Sequence, residues 1–353
     1  MDLIIKPTEA CNFKCSFCSS TAIDPNNAGL LDLDYVFRFL KRYPDTNSLI
    51  INGGDPLMVD PSYYWKIIEH LDEHEYPAYI SFTTNLWPFY VKPEKWVDLF
   101  NHPRMGICTS FQYGGGRLKG DFTEFTEEDF WAVSDAMLKY CGERPDFIAV
   151  LTDMNDYRAL DNVKLAKEMN VECKLNYAMA SGVQGSTYRL SKIYQLYLDV
   201  YDAGLHPWEF NTKQMMRRLK RGFTTCPQNR NCDEGIRAFN PGGDYYSCGS
   251  LADDLDYPIN FDEEMNGPMQ TPLQNDPNIQ TMKMACYTCP MFEICNGCKK
   301  TVRDMKREGT VEAHCKQMKG MAPRILELNG MDPSGVTPYV DESIDQPDLL
   351  LQL

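Results

Sequence analysis

The sequence predicts an α/β protein, a parallel sheet with its helices, followed by a small cysteine-rich region. Two observations predict it. Short apolar runs alternate with amphipathic stretches through the N-terminal half of the chain, and most of the 14 cysteines gather near the two ends of the 353 residues.

Strand candidates lie near residues 3–6, 48–52, 78–84, 106–111, 146–152 and 171–177. Between them apolar residues recur at helical spacing, as in Trp65, Ile68 and Leu71 or Leu160, Val163 and Leu165. This alternation implies parallel strands joined by right-handed crossovers. Ligands in such sheets sit beyond the carboxyl ends of the strands, so the loops after each strand are the places to look for chemistry.

Composition narrows the setting. A chain of 353 residues can bury a large core and a smaller second one. No apolar stretch approaches 18 residues, and the start, Met1-Asp2-Leu3-Ile4-Ile5-Lys6, lacks the basic and apolar regions of a secretory signal. We therefore expect a cytoplasmic protein without a membrane partner. A net charge of -15 opposes a nucleic-acid partner, because like charges would meet without counterion release. The cysteines are too many for structural chance, and a large chain without an export signal is no disulfide scaffold. Cys108, Cys141 and Cys173 stand alone in apolar or helical surroundings and read as buried small hydrophobes.

Directly after the first strand candidate, Cys11, Cys15 and Cys18 stand in the spacing C-x3-C-x2-C. Three thiols are one fewer than a tetrahedral site needs. A structural zinc site closes its shell with protein ligands, whereas a catalytic metal keeps one position open. After the second strand candidate comes Asn52-Gly53-Gly54-Asp55-Pro56, in which paired glycines permit close backbone approach and the proline fixes the exit. As an isolated feature this is an ordinary turn.

Together, the three-cysteine loop with Phe17 before its last thiol and the Gly53-Gly54-Asp55-Pro56 turn resemble the radical S-adenosylmethionine (SAM) enzymes, whose corresponding turn is usually Gly-Gly-Glu-Pro. The resemblance implies a partial (β/α)6 TIM-like barrel. It also implies a four-iron four-sulfur cluster on Cys11, Cys15 and Cys18, with SAM chelating the fourth iron. One-electron cleavage of SAM then gives a 5′-deoxyadenosyl radical that abstracts a substrate hydrogen. By the same resemblance Phe17, Gly53, Gly54, Asp55 and Pro56 lie in the SAM pocket, with Gly53, Gly54 and Asp55 near the methionine amino group. Ser110 is expected at the ribose, Asn85 follows the third strand, and Arg117 is a candidate partner of the SAM carboxylate. The surrounding stretch, Ser110 to Arg117, reads equally as a glycine-rich turn.

The C-terminal cysteines carry a second resemblance. Cys226, Cys232, Cys248, Cys286, Cys289, Cys295, Cys298 and Cys315 are spaced as in a SPASM domain, which holds two auxiliary four-iron clusters. Eight thiolates suffice for two fully ligated clusters. Position by position, Cys226, Cys232, Cys248 and Cys298 would hold the first, and Cys286, Cys289, Cys295 and Cys315 the second. Two residues, Asn296 and Gly297, separate Cys295 from Cys298, where the family usually has three. A zinc ribbon is the competing reading of Cys286, Cys289 and their neighbours.

The expected organisation is a radical SAM barrel over 1–205, a linker over 206–225, a SPASM region over 226–317 and a tail over 318–353. The linker carries a basic run, Arg217-Arg218-Leu219-Lys220-Arg221, read as a solvated helical face. The cofactors implied are three four-iron clusters and SAM, with a flavodoxin- or ferredoxin-type electron donor. SPASM enzymes mostly modify ribosomally made peptides, so oxidative peptide modification is the expected activity; a dehydrogenase or epimerase acting on an aminocyclitol or sugar is the alternative. Formylglycine-forming members place an Asp base directly after the third cysteine of the first auxiliary cluster. Here Gly249 follows Cys248, with Asp253 and Asp254 nearby. The first strand begins close to Met1, so a peptide substrate is expected to dock directly or through a separate leader-binding protein.

Overall fold

The computed structural model of the chain describes residues 1–19, 29–181, 188, 190–219, 232–273, 275–277, 299–328 and 330. All six expected strands form: β1 (Asp2–Ile5), β2 (Ser48–Ile51), β3 (Tyr79–Thr83), β4 (Met105–Ser110), β5 (Asp146–Leu151) and β6 (Cys173–Tyr177). Each pairs in parallel with its sequence neighbour, in the order β6-β5-β4-β3-β2-β1. Parallel neighbours need a return crossover. The helices that supply it are α1 (Leu33–Arg42), α2 (Pro61–Glu73), the short α3 (Trp87–Val91) and α4 (Val97–Phe100), α5 (Glu127–Cys141) and α6 (Ala159–Met169), with α7 (Leu190–Asp202) after β6.

Strand alternation separates two faces. Leu3, Ile5, Leu49, Ile51, Ile80, Phe82, Phe147 and Ala149 are almost fully buried and form the core with Phe39, Leu40, Tyr64, Ile67, Phe130 and Val163 of the helices. The alternate residues, Ile50, Ser81, Thr83, Cys108, Ser110, Ile148, Lys174 and Asn176, are only half-buried on the other face of the sheet. Cys108 thus lines that second face instead of the core expected for it. Cys173, one strand position out of phase, is buried as expected.

The sheet continues past β1 with three short strands. β7 (Ile236–Phe239) lies parallel to β1, and β8 (Tyr245–Tyr246) and β9 (Pro258–Ile259) follow antiparallel. The sequence signal was present in the turn residues Asn240-Pro241-Gly242-Gly243-Asp244 between two β-prone runs, but two-residue strands show no period to detect. α9 (Cys232–Gly235) leads into β7, α10 (Gly249–Asp254) follows β8, and α11 (Phe261–Asn266) follows β9.

Within the expected linker, residues 206–219 are packed structure. α8 (Phe210–Leu219) starts beside the edge strand, where Glu209 bridges to Cys173 and is fully buried. The Glu209 carboxylate accepts from the Leu175 amide (2.9 Å) and from the first amides of α8, those of Asn211 and Thr212. The side chains of the basic run lie outside the described residues. Of the expected tail, residues 318–328 continue the helix Val311–Leu328, which buries Met318, Ala322 and Ile325. Their helical spacing gives one apolar face.

On the outer side of β7, Glu264 and Arg237 are both fully buried and form a two-pronged pair at 2.9 and 3.0 Å. Glu264 also accepts from Tyr245 (2.9 Å), Tyr43 (3.1 Å) and the Gln270 amide (2.9 Å). Burial alone would raise the Glu264 carboxyl, but the Arg237 hydrogen bonds and charge hold it below its ordinary value. A depressed carboxyl contributes stability above its unfolded pKa, 4.5, and loses it as pH falls through the folded value. Glu264→Gln should therefore cost about 3 kcal/mol at neutral pH, because Arg237 keeps its charge without a counterion. Urea unfolding should show the gap between the two proteins closing below pH 4.5; a gap independent of pH would show that the charge contributes nothing.

Candidate active site

Residues 6–18, which follow β1 and carry the three thiols, form no helix or strand, so their course is imposed from outside. The first brace is the glycine turn after β2. Gly54 N–H donates to the Thr8 carbonyl (3.0 Å) and Asp55 N–H to that of Ala10 (2.8 Å). A methyl on Gly54 would lie 2.2 Å from the Ala10 carbonyl oxygen and 2.5 Å from that of Glu9, both backbone atoms with nowhere to go. The close approach that these glycines permit is therefore to the cysteine loop itself.

The second brace comes from the loop after β4. Gly114, Gly115 and Gly116 all have positive φ, and the turn they make returns the chain alongside the thiols. The Gly116 carbonyl accepts from Ser16 N–H (2.8 Å) and the Leu118 carbonyl from Lys14 N–H (2.7 Å). At Gly116 a methyl would sit 2.8 Å from Ser16 Oγ and 3.2 Å from the Phe17 ring. The stretch from Ser110 to Arg117 is thus a glycine turn placed directly against the cysteine loop.

Asp55 and Asn85 join these loops from below. The Asp55 carboxylate is 2% exposed and accepts from the Leu57 amide (2.9 Å), the Asn85 amide (2.8 Å) and the Thr84 hydroxyl (2.9 and 3.0 Å). Burial pushes its pKa up to about 6 against those hydrogen bonds. It caps the turn that starts with Pro56, whose carbonyl accepts from Tyr64 (2.7 Å). Asn85 is paired amide to amide with Asn12 of the cysteine loop, at 2.8 and 3.3 Å. Asp55 therefore orders two loops through its own chain partners, and Asn85 faces Asn12.

Arg117 lies at the centre. It is buried, donates to Ser110 Oγ (2.9 Å) and twice to Gln112 Oε1 (2.8 and 3.2 Å), and stacks over Phe17 at 5.3 Å. Three of its five N–H donors are used within the described residues. Burial lowers its pKa, and the charges of Cys15, Cys11 and Cys18 oppose that shift, so all three thiols act on the same buried cation. The Cys11 thiol is itself pushed up to about 12 by burial, then by Asp55. Gln112, a partner that no motif marks, fixes this cation.

The donor set fits an iron–sulfur cluster better than a single ion. A zinc ion at 2.3 Å from each sulfur would draw them to about 3.8 Å apart. Among the described residues Cys11, Cys15 and Cys18 do not bring three ligand atoms within 4.8 Å. A cluster with one iron per thiolate spreads its ligands more widely.

Of the eight C-terminal cysteines, Cys226, Cys286, Cys289, Cys295 and Cys298 lie outside the described residues. Cys232 opens α9, Cys248 precedes α10 as its N-cap, and Cys315 sits in the helix Val311–Leu328. α10 packs over Ile4, whose methyl is 3.2 Å from where a Gly249 Cβ would stand. Lys6, just beyond β1 and 2% exposed, donates to Asp253. Asp254 accepts from Ser181 (2.6 Å) and pairs with Lys300 (2.8 Å), which also donates to the Ala180 carbonyl (3.1 Å). Arg303 pairs with Asp256 (2.8 Å). These contacts run from the end of β1 through α10 and the helix Lys299–Arg307 to the loop after β6, and so bridge the two edges of the six-stranded sheet.

Gly54→Ala should therefore displace the cysteine loop. We expect the N-terminal share of bound iron to be lost after anaerobic reconstitution, with a drop in thermal midpoint. Gly320→Ala, where nothing lies within 4 Å of the added carbon, is the control and should retain full iron. Full iron in Gly54→Ala would remove the close approach as the organising contact.

The profile of the Radical SAM superfamily matches residues 5–114. No curated protein sequence matches the chain. Among solved structures, native anSMEcpe with bound AdoMet and Cp18Cys peptide is similar at a TM-score of 0.69 and 17% identity, covering 93% of this chain and 98% of that one. SuiB of Streptococcus suis, bound to precursor peptide SuiA, is similar at 0.56 and 15% identity, covering 86% of this chain and 72% of that one. The sheet from β1 to β6 is accordingly the partial barrel of that fold, and the matched residues 5–114 hold the three thiols and the turn at Gly53 and Gly54.

Proposed function

We propose that this enzyme uses radical SAM chemistry to modify a ribosomally made peptide oxidatively, and that its C-terminal cysteines form a SPASM-type region with two auxiliary clusters. The observation that carries the reading is the three-thiol loop held between two glycine turns at the carboxyl ends of β2 and β4.

Cys11, Cys15 and Cys18 would hold the four-iron cluster through three irons. With SAM bound, the pair supplies one-electron cleavage of the sulfonium and hydrogen abstraction by the deoxyadenosyl group. The protein's share is placement. The turn at Gly53 and Gly54 fixes the thiol loop and offers backbone polar groups to the amino end of SAM. Arg117, with Phe17 stacked against it and Ser110 and Gln112 orienting it, presents a fixed positive charge beside the sulfurs. Asn12 and Asn85 hold the loop's near end.

A peptide substrate is supported by the two solved structures of similar fold, each of which has a bound peptide. Formylglycine chemistry is not favoured: Gly249 follows Cys248, and Asp253 and Asp254 are engaged by Lys6 and by Ser181 with Lys300. A flavodoxin- or ferredoxin-type protein would supply the electron.

Anaerobically reconstituted protein should carry about twelve irons, four per cluster. Changing Cys11, Cys15 and Cys18 together to Ala should remove about a third of them and leave the fold intact by circular dichroism. With dithionite and SAM the parent should release 5′-deoxyadenosine and methionine, and Cys15→Ala should release neither. S-adenosylhomocysteine as the sole nucleoside product would overturn the reading. Mass spectrometry of a short peptide encoded beside the gene tests the substrate class: a mass change favours peptide modification, whereas turnover of an aminocyclitol alone overturns it.

A further inference from the structure

At the far end of α2 from the thiols, three side chains form a cluster that the radical chemistry does not use. His70 and His74 stand one helical turn apart, with Glu73 between them. One ligand atom from each lies within 4.8 Å of the others, and no other such trio occurs among the described residues. Because α2 leaves the carboxyl end of β2 and returns to the start of β3, this end of the helix lies on the opposite side of the barrel from the cysteine loop.

Several features prepare the imidazoles as ligands. His74 Nδ1 is 3.1 Å from the His70 carbonyl, and a carbonyl only accepts, so Nδ1 is the donor of this contact and Nε2 is the nitrogen left to face a ligand. That is the arrangement of metal-bound histidines, whose second nitrogen donates to a backbone carbonyl. Aromatic neighbours set both rings. Phe37 stacks on His70 with centroids 4.0 Å apart, and Tyr76 lies nearly parallel to His74 at 5.4 Å. The Nε2 of His70 is shut from solvent and has no hydrogen-bond partner among the described residues. Glu73 adds a negative oxygen at the exposed rim.

We propose that His70, Glu73 and His74 form a divalent late-transition-metal site on the C-terminal turn of α2. Two imidazoles and one carboxylate suit Zn2+, Ni2+ or Cu2+, and they leave one coordination position for water. A metal that binds only the folded form stabilises it in proportion to its occupancy.

The test uses tag-free, cluster-reconstituted protein under anaerobic conditions with Ni2+ and Zn2+ as probes. One equivalent of Ni2+ should remain after desalting, and Zn2+ should raise the thermal midpoint. His74→Ala and Glu73→Gln change exposed side chains and should fold normally. His74→Ala should weaken Ni2+ binding by roughly a hundredfold and abolish the Zn2+ shift, while 5′-deoxyadenosine release stays at the parent rate. Glu73→Gln should fall between the two proteins. Absence of the extra equivalent in the parent, or an equivalent and a Zn2+ shift that survive in His74→Ala, would overturn the site.

Discussion

The contact on which the rest of the site depends is the approach of one backbone to another where Gly53 and Gly54 meet residues Thr8 to Ala10. No side chain fits between them, since even a methyl would come within 2.2 Å of a carbonyl oxygen. The consequence is geometric. The loop that carries the three thiols has no internal regular structure, so it takes its shape from the ends of the strands. β2 provides the glycine turn, β3 the Asn85 that pairs with Asn12, and β4 the glycines that set Gly116 against Ser16. Asp55 makes these supports interdependent, because one buried carboxylate accepts hydrogen bonds from the β2 turn and from the end of β3. Its cost of burial, visible in a pKa of about 6, is offset by hydrogen bonds from three fixed donors, the Leu57 and Asn85 amides and the Thr84 hydroxyl.

How much of this was legible in the sequence follows from the range of each signal. The six strands of the barrel were readable because each is an apolar run bounded by a helix, and the thiol spacing was readable because it is local. The chain partners of Asp55 were not. A carboxylate after two glycines carries no local sign of them, and tertiary placement shows them to be Leu57, Thr84 and Asn85. Gln112 was invisible for the same reason, since its value lies in orienting Arg117 from five residues away. Cys108 shows a different failure. Its apolar neighbours suggested the core, yet strand alternation alone assigns it to the face shared with Ser110. The short strands β7 to β9 left too few residues for a period, and the chemistry of the surrounding cysteines drew attention from the Asn240 to Asp244 turn.

The C-terminal region meets the barrel mainly through charge where it crosses the strand ends. Lys6 and Lys300 are each buried between carboxylates, and buried pairs of this kind contribute little net stability compared with apolar packing. Their value is directional. An apolar patch tolerates sliding, whereas Lys300 is satisfied only when Asp254, Asp304 and the Ala180 carbonyl converge on it. Since α10 begins directly after Cys248 and the helix Lys299–Arg307 directly after Cys298, the pairing of Lys300 with Asp254 fixes the relation between two chain segments that carry candidate cluster ligands. Specific geometry, more than stability, is what a region built around clusters needs from its scaffold.

Electrostatics at the three-thiol loop argue in the same direction. A buried guanidinium is costly unless negative charge lies close to it. The neutral Ser110 and Gln112 orient Arg117 without balancing its charge. The Cys11 thiol, meanwhile, is held protonated by its burial and by Asp55. Each group is unfavourable while the sulfurs are neutral, and both are relieved once the sulfurs carry negative charge. Ligation of iron by thiolate does this, because a metal draws the proton from its thiol outright. The site is thus suited to a negatively charged ligand set, with Arg117 as the buried cation that such a set would balance.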